Sequence, residues 1–281
     1  MLIISNKYES LRNIFESKLS DDHEDFIAAS INSLSKDGKY RAKRPTRNTK
    51  FSDVRVERSD GVTSWIEVKM TRRADLGSPR VYYSDYEGGW RTTYKTPAAA
   101  FTVDLLNKSD EAKQWIRDFK MWLCSELKSS KDDRLLSTIY RHINNGYYTP
   151  DDLKIILPTT SGGLSLKGAI PVDVIKKFAS DHSRTILKYE GDITGVVENH
   201  YLNGKQEPAH YIQIEDDLFR IGDDNPFNWK VPKLSIPSGY IIVRISIRGD
   251  KLYEIQVDIK SNSHYSSDYS LSLGSNKMRP F

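Results

Sequence analysis

The 281 residues are 38% hydrophobic and 28% charged, enough apolar material for a packed core, which excludes global disorder and suits one large domain or two ordinary ones. A formal net charge of +4 favours a polyanionic partner only mildly. The single cysteine, Cys124, excludes an intramolecular disulfide and a cysteine-based zinc site; with no signal-like or membrane-length apolar run, a cytoplasmic protein with no membrane partner is expected.

Leu11, Ile14, Phe15 and Leu19 stand at helical spacing and predict a short helix over 8–18. A second is expected from a cap at Asp21-Asp22, burying Phe26, Ile27, Ile31 and Leu34 and stopping at Asp37-Gly38. Glu24 then falls in its first turn. Residues 39–44 read as a strand, and Arg41, Lys43, Arg44, Arg47 and Lys50 place five cations in ten residues. Such a run is either a solvated face or a set of phosphate contacts.

Residues 51–70 read as two strands around a tight turn. Val54 and Val56 alternate with Asp53, Arg55 and Glu57; Ile66, Val68 and Met70 alternate with Trp65, Glu67 and Lys69. Side chains alternate between the faces of a strand, so each strand has one apolar and one charged side. A two-residue loop at Asp60-Gly61 would set the charged side of one strand beside the apolar side of the other. A three-residue loop of Ser59, Asp60 and Gly61, with Gly61 left-handed, pairs Arg58 with Val62 and Asp53 with Glu67, and puts all apolar positions on one face. Two carboxylates so opposed repel unless a cation lies between them, and Lys69 shares their face.

Arg72 and Arg73 follow the second strand. Residues 74–95 are a glycine-broken ribbon in which Tyr82, Tyr83, Tyr86, Trp90 and Arg91 either meet DNA or pack as a hairpin. A long helix is expected from Ser109 with Trp115, Ile116, Phe119, Trp122, Leu123 and Leu127 inward, and a shorter one over Arg134–Asn144. Leu153–Leu157 reads as a buried strand reached by a crossover. Beyond Gly162-Gly163, a helix at Val172–Ser180 precedes short strands at Arg184–Tyr189, Ile193–Glu198, His210–Glu215, Leu218–Ile221, Tyr240–Ile247 and Leu252–Ile259, and the chain from Ser261 is expected only on the surface. No phosphate-binding glycine loop, HExxH motif, serine elbow or calcium loop is present in the sequence.

The pattern Asp53 with Glu67-Val68-Lys69 resembles the PD-(D/E)XK nuclease superfamily, with Ser52 where that motif often carries proline. The acid-X-lysine tripeptide recurs along the chain, but its other copies fall on helical or turn patterns, apart from Asp258-Ile259-Lys260, the rival site. The resemblance implies an α/β fold: a restriction-endonuclease-like core with a mixed sheet flanked by helices over residues 1–163, plus a β-rich C-terminal lobe over 164–281, an accessory or DNA-recognition region. It implies an endonuclease hydrolysing DNA with Mg²⁺, Mn²⁺ substituting. Asp53, Glu67 and Lys69 would be catalytic. Asp53, Glu67, the Val68 carbonyl and Glu24 would hold the metal. Arg41, Lys43, Arg44, Arg47, Lys50, Arg72, Arg73, Tyr82, Tyr83, Trp90 and Arg91 would contact DNA. Double-strand cutting would call for a homodimer. The alternative is a non-catalytic nucleic-acid-binding protein using the same basic and aromatic surface.

Overall fold

The structure, a computed structural model, describes residues 3–35, 37–45, 51–129, 149–158, 160–161, 164–166, 168–249, 252–262 and 265–281. In chain order its described elements are α1 (Ile3–Leu34), β1 (Tyr40–Lys43), β2 (Val54–Arg58), β3 (Thr63–Lys69), β4 (Tyr82–Ser84), β5 (Gly89–Arg91), α2 (Pro97–Lys108) and α3 (Asp110–Ser129). There follow β6 (Ile156–Leu157), β7 (Thr160–Ser161), β8 (Leu164–Ser165), α4 (Val172–Asp181), β9 (Thr185–Gly191), α5 (Thr194–Asn203), β10 (Ala209–Ile214), β11 (Asp217–Arg220), β12 (Gly239–Arg248) and β13 (Leu252–Ser261). The fold is mixed α/β. No described helix is long and apolar enough to cross a membrane.

The chain forms two compact units that are not sequential. One comprises Met1–Leu76, Gly191–Gly239 and Lys260–Phe281; the other comprises Gly77–Glu190 and Tyr240–Ile259. A boundary at residue 163 therefore falls inside the second unit.

The first unit is built on a five-stranded mixed sheet in the order β1-β2-β3-β10-β11. Its pairs are antiparallel except β3 with β10, which run parallel. The apolar sides of β2 and β3, Val54, Val56, Ile66 and Val68, join Ile27 and Ile31 of α1, Tyr211 of β10, and Phe227 and Trp229 in one core. The Asn32 side chain of α1 accepts from Ala42 N and donates to Ala42 O, both at 2.8 Å, satisfying backbone groups of the sheet's edge strand.

Three expectations for this unit are corrected. Instead of two short helices, α1 runs unbroken, and Asp21 and Glu24 lie within it. Arg44, just past β1, binds Asp21, Glu24 and Asp25, so the acidic run is neutralised laterally rather than serving as a cap. Ile193–Glu198, expected as a strand, opens α5: Val197 and Tyr201, four residues apart, are both buried, and Asp192 Oδ1 accepts from Thr194 N at 2.8 Å. The C-terminal stretch is no surface tail. Leu271 is fully buried in the core, and Leu271 N donates to Gln213 Oε1 at 3.1 Å.

In the second unit β4 lies between β5 and β6, and β12 between β13 and β9. The apolar stripe of α3 packs as its spacing predicts, with Phe119 and Trp122 edge-on to Phe178 of α4 at 4.9 and 5.3 Å. Leu153, Ile155 and Leu157 are buried as expected. Their strand pairs with β4, however, not with the hairpin sheet. The parallel neighbour of β3 is β10, some 140 residues downstream of it. The expected helix Arg134–Asn144 lies outside the described residues.

Candidate active site

The β2–β3 hairpin takes the register that its alternation demands. Val54 stands opposite Ile66 and Arg55 opposite Trp65. Arg58 N donates to Val62 O at 2.8 Å and Gly61 N to Arg58 O at 2.9 Å, closing the three-residue loop. Gly61 has φ +87°, a left-handed conformation that costs glycine little and a side chain more. One step beyond the Val54–Ile66 pair, Asp53 and Glu67 come to the same side. Asp53 Oδ2 accepts from Val68 N at 2.8 Å, which pins it to β3.

The site is a buried pair of acids joined to a lysine. Glu67 is only 4% exposed; its Oε1 accepts from Lys69 Nζ at 2.7 Å, while Oε2 has no hydrogen-bond partner among the described residues. The Lys69 ammonium also stands 6.0 Å above the ring centroid of Tyr201 on α5. Burial, and then the Glu67 charge, push the Asp53 carboxyl up to about 7, against the opposing pull of Lys69 and the Val68 amide. For Glu67, burial is the largest influence and acts upward, yet Lys69 and Lys205 hold it below the usual glutamate value. Burial lowers Lys69, but Glu67, Tyr201 and Asp53 together hold it well above its usual value. Two neighbouring acids thus have their titrations pushed apart, a pattern typical of functional carboxylates.

Asp53, Val68 and Lys69 line a cleft of about 660 Å³ together with Glu24, Leu19, Met70, Arg73 and Lys260. Glu24 reaches this cleft from the middle of α1, with its Oε2 taking Arg44 Nε at 2.7 Å and its Oε1 taking Ser20 Oγ at 3.3 Å. No three His, Cys, Asp or Glu side chains among the described residues are grouped to hold a metal by themselves. The oxygens of Asp53 and Glu67 nevertheless fit a hard divalent cation. Such an ion would satisfy the buried Glu67 Oε2 and relieve the repulsion that raises Asp53.

The expected DNA contacts separate into distinct groups. Arg41 and Lys43 project from the exposed side of β1, and Arg73 is exposed on the cleft. Arg44 is engaged with three carboxylates on α1. Arg72 donates to Asp217 at 2.5 Å, Glu215 at 3.2 Å and Tyr265 O at 2.8 Å. Both therefore serve the fold rather than a free phosphate clamp. Arg47 and Lys50 lie outside the described residues.

Tyr82, Tyr83, Trp90 and Arg91, in the second unit, form the β4–β5 hairpin. Tyr82 and Trp90 are buried. The Tyr82 hydroxyl donates to Glu87 at 2.7 Å, the Tyr83 hydroxyl donates to Asp85 at 2.8 Å, and Arg91 donates to the backbone carbonyls of Glu87 and Trp90. These residues pack and cap a hairpin rather than present an aromatic surface.

At the rival Asp258, both carboxylate oxygens are taken, one by Arg244 at 3.1 Å and one by Gln256 at 2.9 Å. Tyr201 and Lys205, which sequence reasoning did not select and no local motif marks, come to the Asp53 site from distant segments, and Lys260, the lysine of the rival tripeptide, lines its cleft. No protein-family model, curated protein or solved structure matches the chain.

Proposed function

We propose that this chain is a metal-dependent deoxyribonuclease of the PD-(D/E)XK kind, an endonuclease hydrolysing DNA phosphodiester bonds with Mg²⁺ or Mn²⁺. The observation that carries this reading is the convergence of Asp53, Glu67 and Lys69 from a register that also leaves a buried Glu67 oxygen without a donor. Supporting it, a helix, a strand, an acidic hairpin, a helix and a strand parallel to the hairpin follow in that order as α1, β1, β2–β3, α5 and β10. The resemblance implies a long helix and a buried strand after the hairpin, expected from Ser109 and at Leu153–Leu157; in the first unit α5 and β10 follow the hairpin instead, with the Gly77–Glu190 part of the second unit between β3 and α5 in sequence.

Asp53, Glu67 and the Val68 carbonyl would hold the ion, with Glu24 within reach of the same cleft. The ion supplies charge neutralisation at the phosphoryl group and acidifies the attacking water. The Val68 amide fixes the Asp53 carboxylate, and Glu67 fixes the Lys69 ammonium. Held protonated, Lys69 orients the nucleophile and offsets charge developing on the phosphate; it does not take a proton. Arg73 would bind a neighbouring phosphate.

The test is cleavage of supercoiled and linear DNA with Mg²⁺, Mn²⁺, Ca²⁺ or EDTA by the wild type, Glu67→Gln and Lys69→Ala. Metal-dependent cutting lost in both variants is the expected result, and cutting that survives both would refute it. Salt-sensitive, metal-independent binding without cutting would favour the non-catalytic DNA-binding reading.

A further inference from the structure

The cleft beside Asp53 holds side chains that the chemistry of phosphodiester hydrolysis does not use. Leu19 and Met70 both line it and are 50% and 37% exposed. Arg73 also lines it, exposed and with no carboxylate partner among the described residues, and Lys260 stands at its wall, 3.8 Å from Asp75. Beyond Leu19 the same side of α1 carries His23 and Phe26, at steps of four and three residues. Their rings stack at 6.3 Å and Phe26 is 40% exposed. Within the cleft the cations Arg73 and Lys260 and the apolar Leu19 and Met70 thus share the lining with Asp53.

Exposed apolar side chains cost solvation when nothing covers them, and a patch with a charged rim marks a binding surface. A nucleotide satisfies both halves of this wall, since its phosphate meets Arg73 and Lys260 while its base offers a flat π face to Met70 and Leu19. In a duplex those base faces are buried in the stack and unavailable to a side chain, so only an unpaired base could use them. At about 660 Å³ the cleft is large enough for a nucleotide. Asp53 lines the cleft, and Glu67 beside it is only 4% exposed.

We infer that this cleft takes an unpaired nucleotide, so that the favoured substrate is single-stranded, frayed or otherwise unstacked DNA. The inference rests on the nuclease reading for the identity of the polymer, but its test does not require cutting. The full chain carrying Glu67→Gln is titrated, in Mg²⁺, against a fluorescein-labelled single-stranded oligonucleotide and its blunt duplex, with and without Leu19→Ser and Met70→Ser. Both substituted positions are exposed, and thermal melts check that folding is retained.

The expected result is single-strand binding at least about tenfold tighter than duplex binding, weakened about fivefold or more by the two serines, with duplex binding unchanged. Duplex binding as tight as single-strand binding, or single-strand binding indifferent to both serines, overturns the inference. In parallel, wild-type cutting confined to fully paired duplex overturns it while leaving the nuclease reading intact. Serine-sensitive single-strand binding without any metal-dependent cutting supports the cleft assignment and removes the nuclease.

Discussion

Replacing Asp53 with asparagine should make the metal-free protein less sensitive to rising pH and, on the nuclease proposal, abolish metal-dependent cleavage. The Asp53 carboxyl is pushed from 3.8 up to about 7, chiefly by burial and then by Glu67. A raised carboxyl pKa means that the folded protein holds a proton which the unfolded chain has released. The associated stability is present in full below 3.8 and is lost as pH climbs through about 7. Through this one group, the wild type should lose on the order of 2–3 kcal/mol between about pH 5 and about pH 8. Asparagine keeps an acceptor for the Val68 amide and carries no charge, so its variant should lack this loss. Urea unfolding in EDTA, followed by tryptophan fluorescence at pH 5, 6.5 and 8, measures the difference directly. The stability gap between variant and wild type should grow with pH in favour of the variant. A gap that stays flat, or shrinks, would refute the account of a carboxylate destabilised by its own site. On the metal proposal, added Mg²⁺ at pH 8 should raise the stability of the wild type more than that of the variant, because the proposed ligand set needs the Asp53 carboxylate.

Asp217 is buried and accepts from Arg72 and Lys277, each at 2.5 Å, and from Ser267 N at 2.6 Å. Asp217→Ala should cost about 1–3 kcal/mol by leaving the buried Ser267 N–H without its acceptor, while the half-exposed Arg72 keeps Glu215, visible as a lowered Tm; an unchanged Tm would mean that water replaces the carboxylate. Gly61→Ala meets no neighbour within 4 Å, so backbone strain at φ +87° decides its effect, about 1–2 kcal/mol of destabilisation by chemical denaturation. Asp258→Asn should leave metal-dependent cleavage at the wild-type rate, because both oxygens of Asp258 already serve Arg244 and Gln256; a collapse in cutting would move the site to that strand.

The hairpin was legible in the sequence because its signals are local. The period-two alternation of Val54, Val56, Ile66 and Val68 admits one buried face, and a glycine at the third loop position selects the register that honours it. The convergence of Asp53, Glu67 and Lys69 follows from that register. The amphipathic stripe of α3 and the strands at Tyr240–Ile247 and Leu252–Ile259 were readable for the same reason: their burial pattern is written in neighbouring residues. What lies around the hairpin was not local. The parallel partner of β3 is contributed by Ala209–Ile214, after Gly77–Glu190 of the second unit has intervened, and nothing in the alternation of β3 distinguishes that strand from the apolar Leu153–Leu157. The β-branched residues of Ile193–Val197 favoured a strand until Val197 and Tyr201 found a common buried face. Charge was the least legible part. Arg44 and Arg72 read as phosphate contacts in sequence, but the fold surrounds them with carboxylates, whereas Arg73 is left facing the cleft. The chain's own pattern decided which side chains share a strand face; three-dimensional packing alone decided which charges meet, because a charge is committed by whichever partner the fold brings within a few ångströms, however distant in sequence.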